Sequence, residues 1–281
     1  MKVIDCFMYF DESTILEIRL NILNEFVDKF IIVESKTDHA GNKKKLNFNI
    51  NNYKKFEKKI KYLVVEDLPV KKNAFSNSWR NESSWLRENF QRNYLAEGYK
   101  EFDDNDIIMI SDIDEIPNPE KIKEFDEKNK YACFIQKNFQ TKINLLNVSK
   151  PKWIGTKISK KKDIKSPQWL RDIKTKKKQF WKFYRPKPPQ IIEDGGWHFS
   201  FLKTSNEISK KIKSYAHQEY NKKDIYDVNL IQKNIDNKTD VLNRDYSYKI
   251  LNLDYSFPEY ILKNQEKYNK WILKNGAPGR I

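Results

Sequence analysis

Four short apolar runs alternate with helical patterns early in the chain, and this alternation constrains the fold more than any other feature. The runs predict strands at residues 3–10, 30–33, 60–65 and 107–110. The patterns between them predict helices at residues 15–27, 51–58 and 79–96. Strands that alternate with helices form open parallel sheets with right-handed connections. We therefore predict an α/β fold with a mostly parallel, Rossmann-type sheet flanked by helices.

Two local signals mark helix ends in this half. Thr14 and Glu17 have the capping-box spacing, which predicts the start of the helix at residues 15–27. Gly98 is expected to end the helix at residues 79–96. This half contains no glycine-rich phosphate loop, so neither a dinucleotide site nor a P-loop is predicted.

The pattern becomes mixed after residue 117. Strand-like runs occur at residues 131–135, 143–148 and 180–184. Thr204 and Glu207 form a second capping-box pattern, for a helix that extends toward Tyr215. A terminal helix is predicted from Pro258 to Gly276. Its expected buried face consists of Tyr260, Ile261, Tyr268 and Ile272.

The strand predicted at residues 107–110 ends in a cluster of acids. Asp112, Asp114 and Glu115 follow it, and Pro117 stops the strand because proline has no N–H for the ladder. These carboxylates should lie at the carboxyl end of a strand, where open α/β sheets bind ligands. Clustered carboxylates repel one another unless a cation lies between them, and hard divalent cations prefer oxygen ligands. The Asp-x-Asp pair therefore indicates a divalent metal site.

A second interpretation of the same stretch needs no metal. The acids could form an ordinary polar loop before a helix that begins at Pro119. Asp114 or Asn118 would then cap that helix.

The positive charge of the chain is concentrated in one segment. The formal net charge is +15, and residues 150–187 hold +13 of it. Aromatic residues such as Trp153 and Trp169 are interleaved with this charge. Such a mixture predicts contact with an anionic membrane surface or an acidic glycan, and the alternative is solvated loop charge. We do not expect a nucleic-acid partner.

Hydropathy and cysteine content bear on the compartment. No apolar run approaches the roughly 18 residues of a membrane span. Residues 3–10 have a strand pattern followed by acids, unlike a signal peptide. Cys6 and Cys133 both lie in strand-like runs, which indicates buried thiols. We therefore expect a cytoplasmic protein, or one peripheral to a membrane on the cytoplasmic side.

Four separated pieces of the sequence resemble glycosyltransferase family 17. They are ESKTDHAG at residues 34–41, NDIIMISDIDEIP at 105–117, GWHFS at 196–200 and PEYILKNQEKY at 258–268. The resemblance implies a GT-A-like fold, a nucleotide-sugar donor and inversion at the anomeric carbon.

The expected domain organisation accords with this resemblance. We predict a single glycosyltransferase domain over residues 1–281. Residues 1–117 would form its nucleotide-binding half and residues 118–281 its acceptor-side half. The basic segment at residues 150–187 is interpreted as an insert, because it has no counterpart in the family.

The resemblance also strengthens the metal interpretation. Asp114 is expected to bind Mn²⁺ or Mg²⁺ directly, and Asp112 to bind it through water or to hold the ribose hydroxyls. His198 is expected to be a third metal ligand or a diphosphate contact, with a structural histidine as the alternative. Trp197 could stack on a sugar or belong to the core.

Four further residues are assigned to the nucleotide. Phe10 and Glu34 lie at the ends of the first two predicted strands. Arg87 and Arg92 lie on the helix before the acidic strand and could reach the diphosphate. Glu34 could instead cap a loop, and either arginine could form a surface ion pair.

Three carboxylates are candidates for the general base that takes the proton of the attacking hydroxyl. Glu219 is the first candidate, and His217 beside it is a candidate diphosphate contact. Asp194 and Glu115 are the rivals.

These expectations combine into one predicted activity. The chain would be a metal-dependent inverting transferase that moves GlcNAc from UDP-GlcNAc to a hydroxyl of a glycan or lipid-linked glycan. A phosphatase of the haloacid-dehalogenase type is an alternative, although its Asp-x-Asp normally follows the first strand. A non-catalytic module that binds polyanions through residues 150–187 is another alternative.

Overall fold

One sheet organises the part of the chain that the structure describes. The structure, a computed structural model, describes residues 1–69, 79–175 and 188–274, with only the backbone of residues 79–82. Eleven strands of these residues form the sheet. They are β1 (Val3–Met8), β2 (Lys29–Ser35), β3 (Ile60–Val65), β4 (Ile107–Ser111), β5 (Glu115–Pro117), β6 (Tyr131–Gln140), β7 (Leu145–Asn147), β8 (Lys152–Lys160), β9 (Gln190–Ile192), β10 (Gly196–Ser200) and β11 (Tyr248–Ile250).

Helices cover both faces of this sheet. The α-helices are α1 (Ser13–Leu23), α2 (Trp79–Asn93), α3 (Leu95–Tyr99), α4 (Pro119–Ile122), α5 (Pro167–Asp172), α6 (Ser205–Ser214), α7 (Lys223–Tyr226), α8 (Val228–Asn237) and α9 (Glu259–Lys263). Short 3₁₀ helices span Ile50–Lys59, Lys161–Asp163, Gln218–Tyr220 and Asn269–Trp271. Leu16 of α1 and Ile261 of α9 belong to one buried cluster, and Leu95 of α3 and Leu170 of α5 to another.

The first four strands form the parallel part of the sheet. They lie in the order β3, β2, β1, β4, and each neighbouring pair is parallel. The register places Phe7 beside Ser111 and Met8 beside Val33, so β1, β2 and β4 end at one edge. Every residue of β4 is buried. The predicted α/β fold with a mostly parallel sheet flanked by helices is confirmed.

The remaining strands make the second half mixed, as predicted. β8 lies antiparallel beside β4, and β6, β7 and β11 follow it toward the other edge. β10 is parallel to β6 and antiparallel to β5. β8 and α5 both come from residues 150–187, and β8 is a strand of the central sheet. The strand predicted at residues 180–184 lies outside the described residues.

Two predicted helix ends are wrong. α1 begins at Ser13 without the predicted capping box. Glu12 is its N-cap, no side chain caps the helix, and the Glu12 carboxylate accepts from the backbone of Phe10 and Asp11 ahead of it (3.1 and 3.0 Å). Gly98 lies inside α3 instead of ending the preceding helix. A Cβ at Gly98 would lie 2.1 Å from Cγ2 of Ile31, so the glycine permits close helix–sheet packing.

The predicted helix ends in the second half fare better. Thr204 and Glu207 form the expected capping box at the start of α6. Asn118 accepts a hydrogen bond from the backbone of Glu120, so it caps α4. The terminal helix is shorter than predicted, since α9 ends at Lys263 and Gly276 lies outside the described residues.

Candidate functional site

A cleft lies at the carboxyl edge of the parallel strands. Its volume is about 370 Å³, and the ends of β1, β2 and β4 contribute Phe10, Thr37, Asp112 and Asp114. The mixed half contributes His198 on β10 and part of α6. The edge on which the sequence placed the acids is therefore the edge that is open to a ligand.

Asp112 is held by two arginines. Its Oδ1 lies 3.1 Å from Nη2 of Arg92, and its Oδ2 lies 3.1 Å from Nη2 of Arg171. Burial raises the pKa of Asp112, but Arg171 and Arg92 outweigh it and hold that pKa well below the usual range. Asp112 is therefore ionised and already paired, and Arg92 reaches it instead of lying on the surface.

Asp114 lies between a histidine and a lysine. Its Oδ1 is 3.9 Å from Nε2 of His198, and its Oδ2 is 3.5 Å from Nζ of Lys211. Lys211 also lies 3.4 Å from Oε1 of Glu12. Burial lowers the pKa of Lys211, but the nearby carboxylates of Asp114 and Glu12 outweigh this effect and raise the pKa above its usual value. The lysine therefore carries a positive charge.

The tautomer of His198 follows from its neighbour Asn138. Nδ2 of Asn138 donates to the carbonyl of Lys150 (2.9 Å), so Oδ1 is the atom that faces Nδ1 of His198 at 3.0 Å. An amide oxygen can only accept, so Nδ1 of His198 carries the hydrogen. Burial lowers the pKa of His198, although Asp114 opposes this, and the ring is therefore neutral. Its Nε2 is left with a lone pair on the side of Asp114.

The distance between Asp114 and His198 shows whether one divalent cation could contact both side chains. Two ligands at roughly 2.1 Å from one cation are at most about 4.2 Å apart, and the Asp114–His198 distance of 3.9 Å meets this limit. Over residues 1–69, 79–175 and 188–274 no group of three or more His, Cys, Asp or Glu residues is arranged to hold a metal. The structure thus brings Asp114 and His198 together, while Asp112 is bound by arginines.

Glu115 is a structural partner in this arrangement. It is fully buried and accepts hydrogen bonds from Nε1 of Trp153 (2.7 Å) and from Arg171 (2.7 and 3.0 Å). Its Oε2 also accepts from the backbone N–H of Asp112 (3.1 Å). Both oxygens are engaged and neither lines the cleft. Its position does not support the hypothesis that Glu115 is the base.

A fully buried arginine, Arg19, donates to the backbone of the acidic loop after β4. Nη1 of Arg19 donates to the backbone carbonyls of Asp112, Ile113 and Glu115 (3.1, 3.1 and 3.0 Å). Nε and Nη2 of Arg19 donate to the carboxylate of Asp5 (2.8 and 2.6 Å), which is also fully buried. This pair connects β1 and α1 to the loop and fixes its backbone.

The predicted nucleotide contacts divide into two groups. Phe10 lines the cleft, with the ammonium groups of Lys44 and Lys210 5.1 and 5.4 Å from its ring centroid. Glu34 is buried and accepts from Lys44, the backbone of residues 47 and 48, and Tyr62, so it organises the neighbouring loop. Arg87 donates to the carbonyl of His39 (3.0 Å) and lines a separate cavity.

Trp197 and Asp194 lie away from the cleft. Trp197 belongs to the main buried cluster and donates its Nε1 hydrogen to the carbonyl of Ser256 (3.0 Å). This corresponds to the core alternative rather than to a sugar platform. Asp194 is exposed at the tight turn before β10, with φ 48°.

Glu219 contacts the neighbouring His217. Its Oε1 lies 2.7 Å from Nδ1 of His217, and both side chains are about half exposed (46% and 47%). His217 lines the cleft and packs edge-on against Trp85 (4.7 Å between ring centroids). Of the two, the histidine is therefore the residue that faces a ligand.

Three residues that contact the acids or His198 were not predicted as site residues from the sequence. Arg171 pairs with both Asp112 and Glu115, and the indole of Trp153 stacks on the His198 ring at 4.4 Å between centroids. Lys211 is the third. Arg171 and Trp153 lie in the basic segment, where a local pattern of lysines and aromatic residues gave no sign of which side chain turns inward.

Several basic side chains in the described part of residues 150–187 have partners within the molecule. Lys157 is buried and donates to the carbonyls of Arg171 and Ile173 (2.6 and 2.5 Å). Lys160 and Lys161 form ion pairs with acidic side chains (2.5 and 3.3 Å). This part of residues 150–187 therefore does not present a continuous basic surface.

Fold and cleft together define the class of protein. A mostly parallel α/β sheet carries, at the carboxyl end of a buried strand, an acid pair whose charge is balanced by basic side chains. The family model described as Glycosyltransferase family 17 matches residues 1–277, so the chain belongs to that family. The chain is accordingly a glycosyltransferase, with a sugar donor and a glycan acceptor as its partners in general terms.

Two further findings concern the curated proteins and the helices. No curated protein matches the chain. Within the described residues, the helices are too short or too polar for any of them to cross a membrane.

Proposed function

We propose that the chain is a GT-A-like, inverting glycosyltransferase that uses Mn²⁺ or Mg²⁺ and a UDP-sugar, with UDP-GlcNAc as the first choice of donor. The acceptor would be a hydroxyl of a glycan or lipid-linked glycan. One observation carries the proposal: a neutral His198 whose lone pair faces the Asp114 carboxylate at 3.9 Å. A lone pair that faces an anion is unfavourable unless a cation lies between them.

Asp114 and His198 are the residues that would hold the cation. When bound, a divalent ion neutralises the charge that develops on a departing diphosphate. Asn138 keeps His198 in the tautomer that this role requires. Trp153 stacks on the ring and limits its rotation. Asp112 would hold the ribose or a metal-bound water, with Arg92 and Arg171 fixing its orientation.

Basic side chains would support the diphosphate at the same place. Lys211 is partly buried, charged and 3.5 Å from Asp114, so it can donate to a phosphate oxygen without moving far. Such a fixed donor stabilises the leaving group without reorganisation of water. The nucleoside would lie toward Phe10 and Thr37, at the end of the cleft formed by β1 and β2.

The base of the reaction is proposed to be His217, held by Glu219. With Nδ1–H donated to Glu219, Nε2 of His217 is an acceptor for the proton of the attacking hydroxyl. This assigns Glu219 a positioning role instead of direct proton transfer. Glu219→Gln and His217→Gln should both lower kcat while leaving the KM of the donor within about twofold.

The direct test is donor turnover. The protein is incubated with a panel of nucleotide sugars and Mn²⁺, and released nucleotide is measured with and without EDTA. Turnover with one UDP-sugar that EDTA abolishes supports the proposal. The matched pair Asp114→Asn and Asp236→Asn compares the cleft acid with an exposed aspartate of α8. No turnover with any donor, or equal activity in both variants, would contradict it.

A further inference from the structure

The cleft continues past the Asp114–His198 pair to an end formed by β7, β8 and the loop before β11. Residues there include Asn147, Lys150, Trp153, Arg244 and Tyr246. This end lies across the acid pair from Phe10 and Thr37, because β4 separates β1 and β2 from β8, β6 and β7 in the sheet. It is therefore the end available to an acceptor when the donor occupies the other.

Two cationic groups share one aromatic ring at this end. Nζ of Lys150 lies 4.9 Å from the ring centroid of Tyr246, and Cζ of Arg244 lies 4.6 Å from the same centroid. Both groups therefore lie beside the same ring, in the part of the cleft that Tyr246 lines. Trp153 is 37% exposed and its ring faces the same cleft, which provides a surface for a sugar ring.

The hydrogen-bonding groups left over at this end are donors. Within the described residues, Nζ of Lys150 has neither an ion pair nor a hydrogen bond. Asp240 accepts from Nε and Nη2 of Arg244 (3.0 and 2.7 Å), which leaves Nη1 without an acceptor in that part of the chain. Asn147 is buried, and its Oδ1 accepts from the backbone of Lys150 (2.8 Å), which leaves the Nδ2 donors.

Asp240 balances the charge of Arg244, whereas the acids that line the cleft have other partners and leave Lys150 unpaired within the described residues. Asp112 is paired with two arginines and Asp114 lies beside Lys211. Glu12 lies beside Lys211 and Lys203, and Glu88 pairs with Arg92. Asp38 accepts from Asn42. A site that offers donors and positive charge requires a ligand that offers acceptor oxygens and negative charge.

We propose that this end of the cleft binds an oxyanion on the acceptor, either the carboxylate of a sugar acid or the phosphate of a phosphorylated sugar. The proposal rests on the proposed function, because it takes the opposite end as the donor site. Lys150 supplies the charge, Arg244 and Asn147 supply N–H donors, and Trp153 supplies a stacking surface for the sugar ring. Acceptors without a charged group would lose these contacts and bind more weakly.

The test is a binding experiment that does not depend on turnover. The protein, alone and with UDP and Mn²⁺, is titrated with methyl β-glucuronide, methyl β-glucoside, mannose 6-phosphate and mannose, and affinity is followed by ligand-detected NMR. We expect at least one charged sugar to bind roughly tenfold more tightly than its neutral counterpart. A preference for the glucuronide identifies a sugar acid, and a preference for the phosphate identifies a phosphorylated sugar.

Two variants locate the effect. Lys150→Gln should remove roughly tenfold of the charged sugar's affinity and leave the neutral sugar unchanged. Lys249→Gln removes the same charge from an exposed position on β11 outside the cleft, and should change neither. Equal binding of charged and neutral sugars, or equal losses in the two variants, would overturn the proposal. So would displacement of UDP by the charged sugar, since it would place the oxyanion at the donor end.

The same titrations separate this inference from the proposed function. Failure of UDP to bind with Mn²⁺ would count against the transferase mechanism. The preference for charged sugars in the protein alone still reports on the acceptor end.

Discussion

The parallel and mixed halves of the sheet contribute to the cleft in different ways. The parallel half positions the acids, because β4 carries them to the edge and the buried Arg19–Asp5 pair holds their loop. The mixed half surrounds the acids with the groups that determine their chemistry, chiefly His198, Arg171 and Lys211. Where the acids lie is therefore a property of one half, and what they can bind is a property of the other.

The largest expected effect is on stability, in the parallel half. Arg19→Met leaves the Asp5 carboxylate buried without a partner and deprives three loop carbonyls of their donor. We expect a loss of about 3–5 kcal/mol in the free energy of unfolding, measured with urea. The double variant Asp5→Leu with Arg19→Met should recover part of this loss, because no unpaired charge remains. Additive losses would show that the pair is not coupled.

The next largest expected effect is on activity. It concerns Asp114, which follows a strand of the parallel half and contacts side chains of the mixed half. Asp114→Asn keeps the shape of the side chain but removes the charge that faces His198 and Lys211. We expect kcat to fall on the order of 10²–10³ with the unfolding midpoint nearly unchanged. Steady-state kinetics beside thermal unfolding check this. A fall in activity that merely follows a fall in stability would contradict the division between the halves.

A smaller effect is expected from the residue that orients His198. Asn138→Leu removes the acceptor of the Nδ1 hydrogen, so the ring is free to turn or change tautomer. The Mn²⁺ concentration for half-maximal activity should rise by roughly 10–100-fold. Asn138→Asp retains an acceptor and should keep most of the affinity. Equal behaviour of the two variants would show that His198 does not depend on this hydrogen bond.

The smallest effect concerns the helix that carries Lys211. Thr204→Ala removes the hydroxyl of the capping box at the start of α6. We expect a loss of about 1 kcal/mol in the free energy of unfolding, with Thr204→Ser close to the parent protein. Metal dependence should stay the same. A changed Mn²⁺ requirement would show that the start of α6 also sets the position of Lys211.

The two halves also differ in how far the sequence predicts them. The strand at residues 60–65 and the buried strand before Asp112 were found because apolar runs between helices are local signals. The edge on which Asp112 and Asp114 lie followed from the strand direction alone. The strands of the parallel half and the position of the acids could therefore be predicted from short stretches of adjacent residues.

The surroundings of the acids depend on contacts between distant residues. Arg171 meets Glu115 across 56 residues of sequence, and His198 meets Asn138 across 60. One arginine among fifteen basic residues at 150–187 has no local mark that it turns inward. The capping box predicted at Thr14 does not form, and no side chain caps α1. Glu12 is the N-cap, and its carboxylate accepts from the N–H groups of Phe10 and Asp11 ahead of the helix.

The two arginines on Asp112 have a consequence for handling the protein. Their charges, together with that of Lys211, leave the acid pair close to electroneutral before any ion enters. We therefore expect a chelator to leave the melting temperature almost unchanged, and on the proposed mechanism it should stop catalysis. One preparation could be stripped and reloaded with a series of divalent ions, so that ion preference is measured on a single fold.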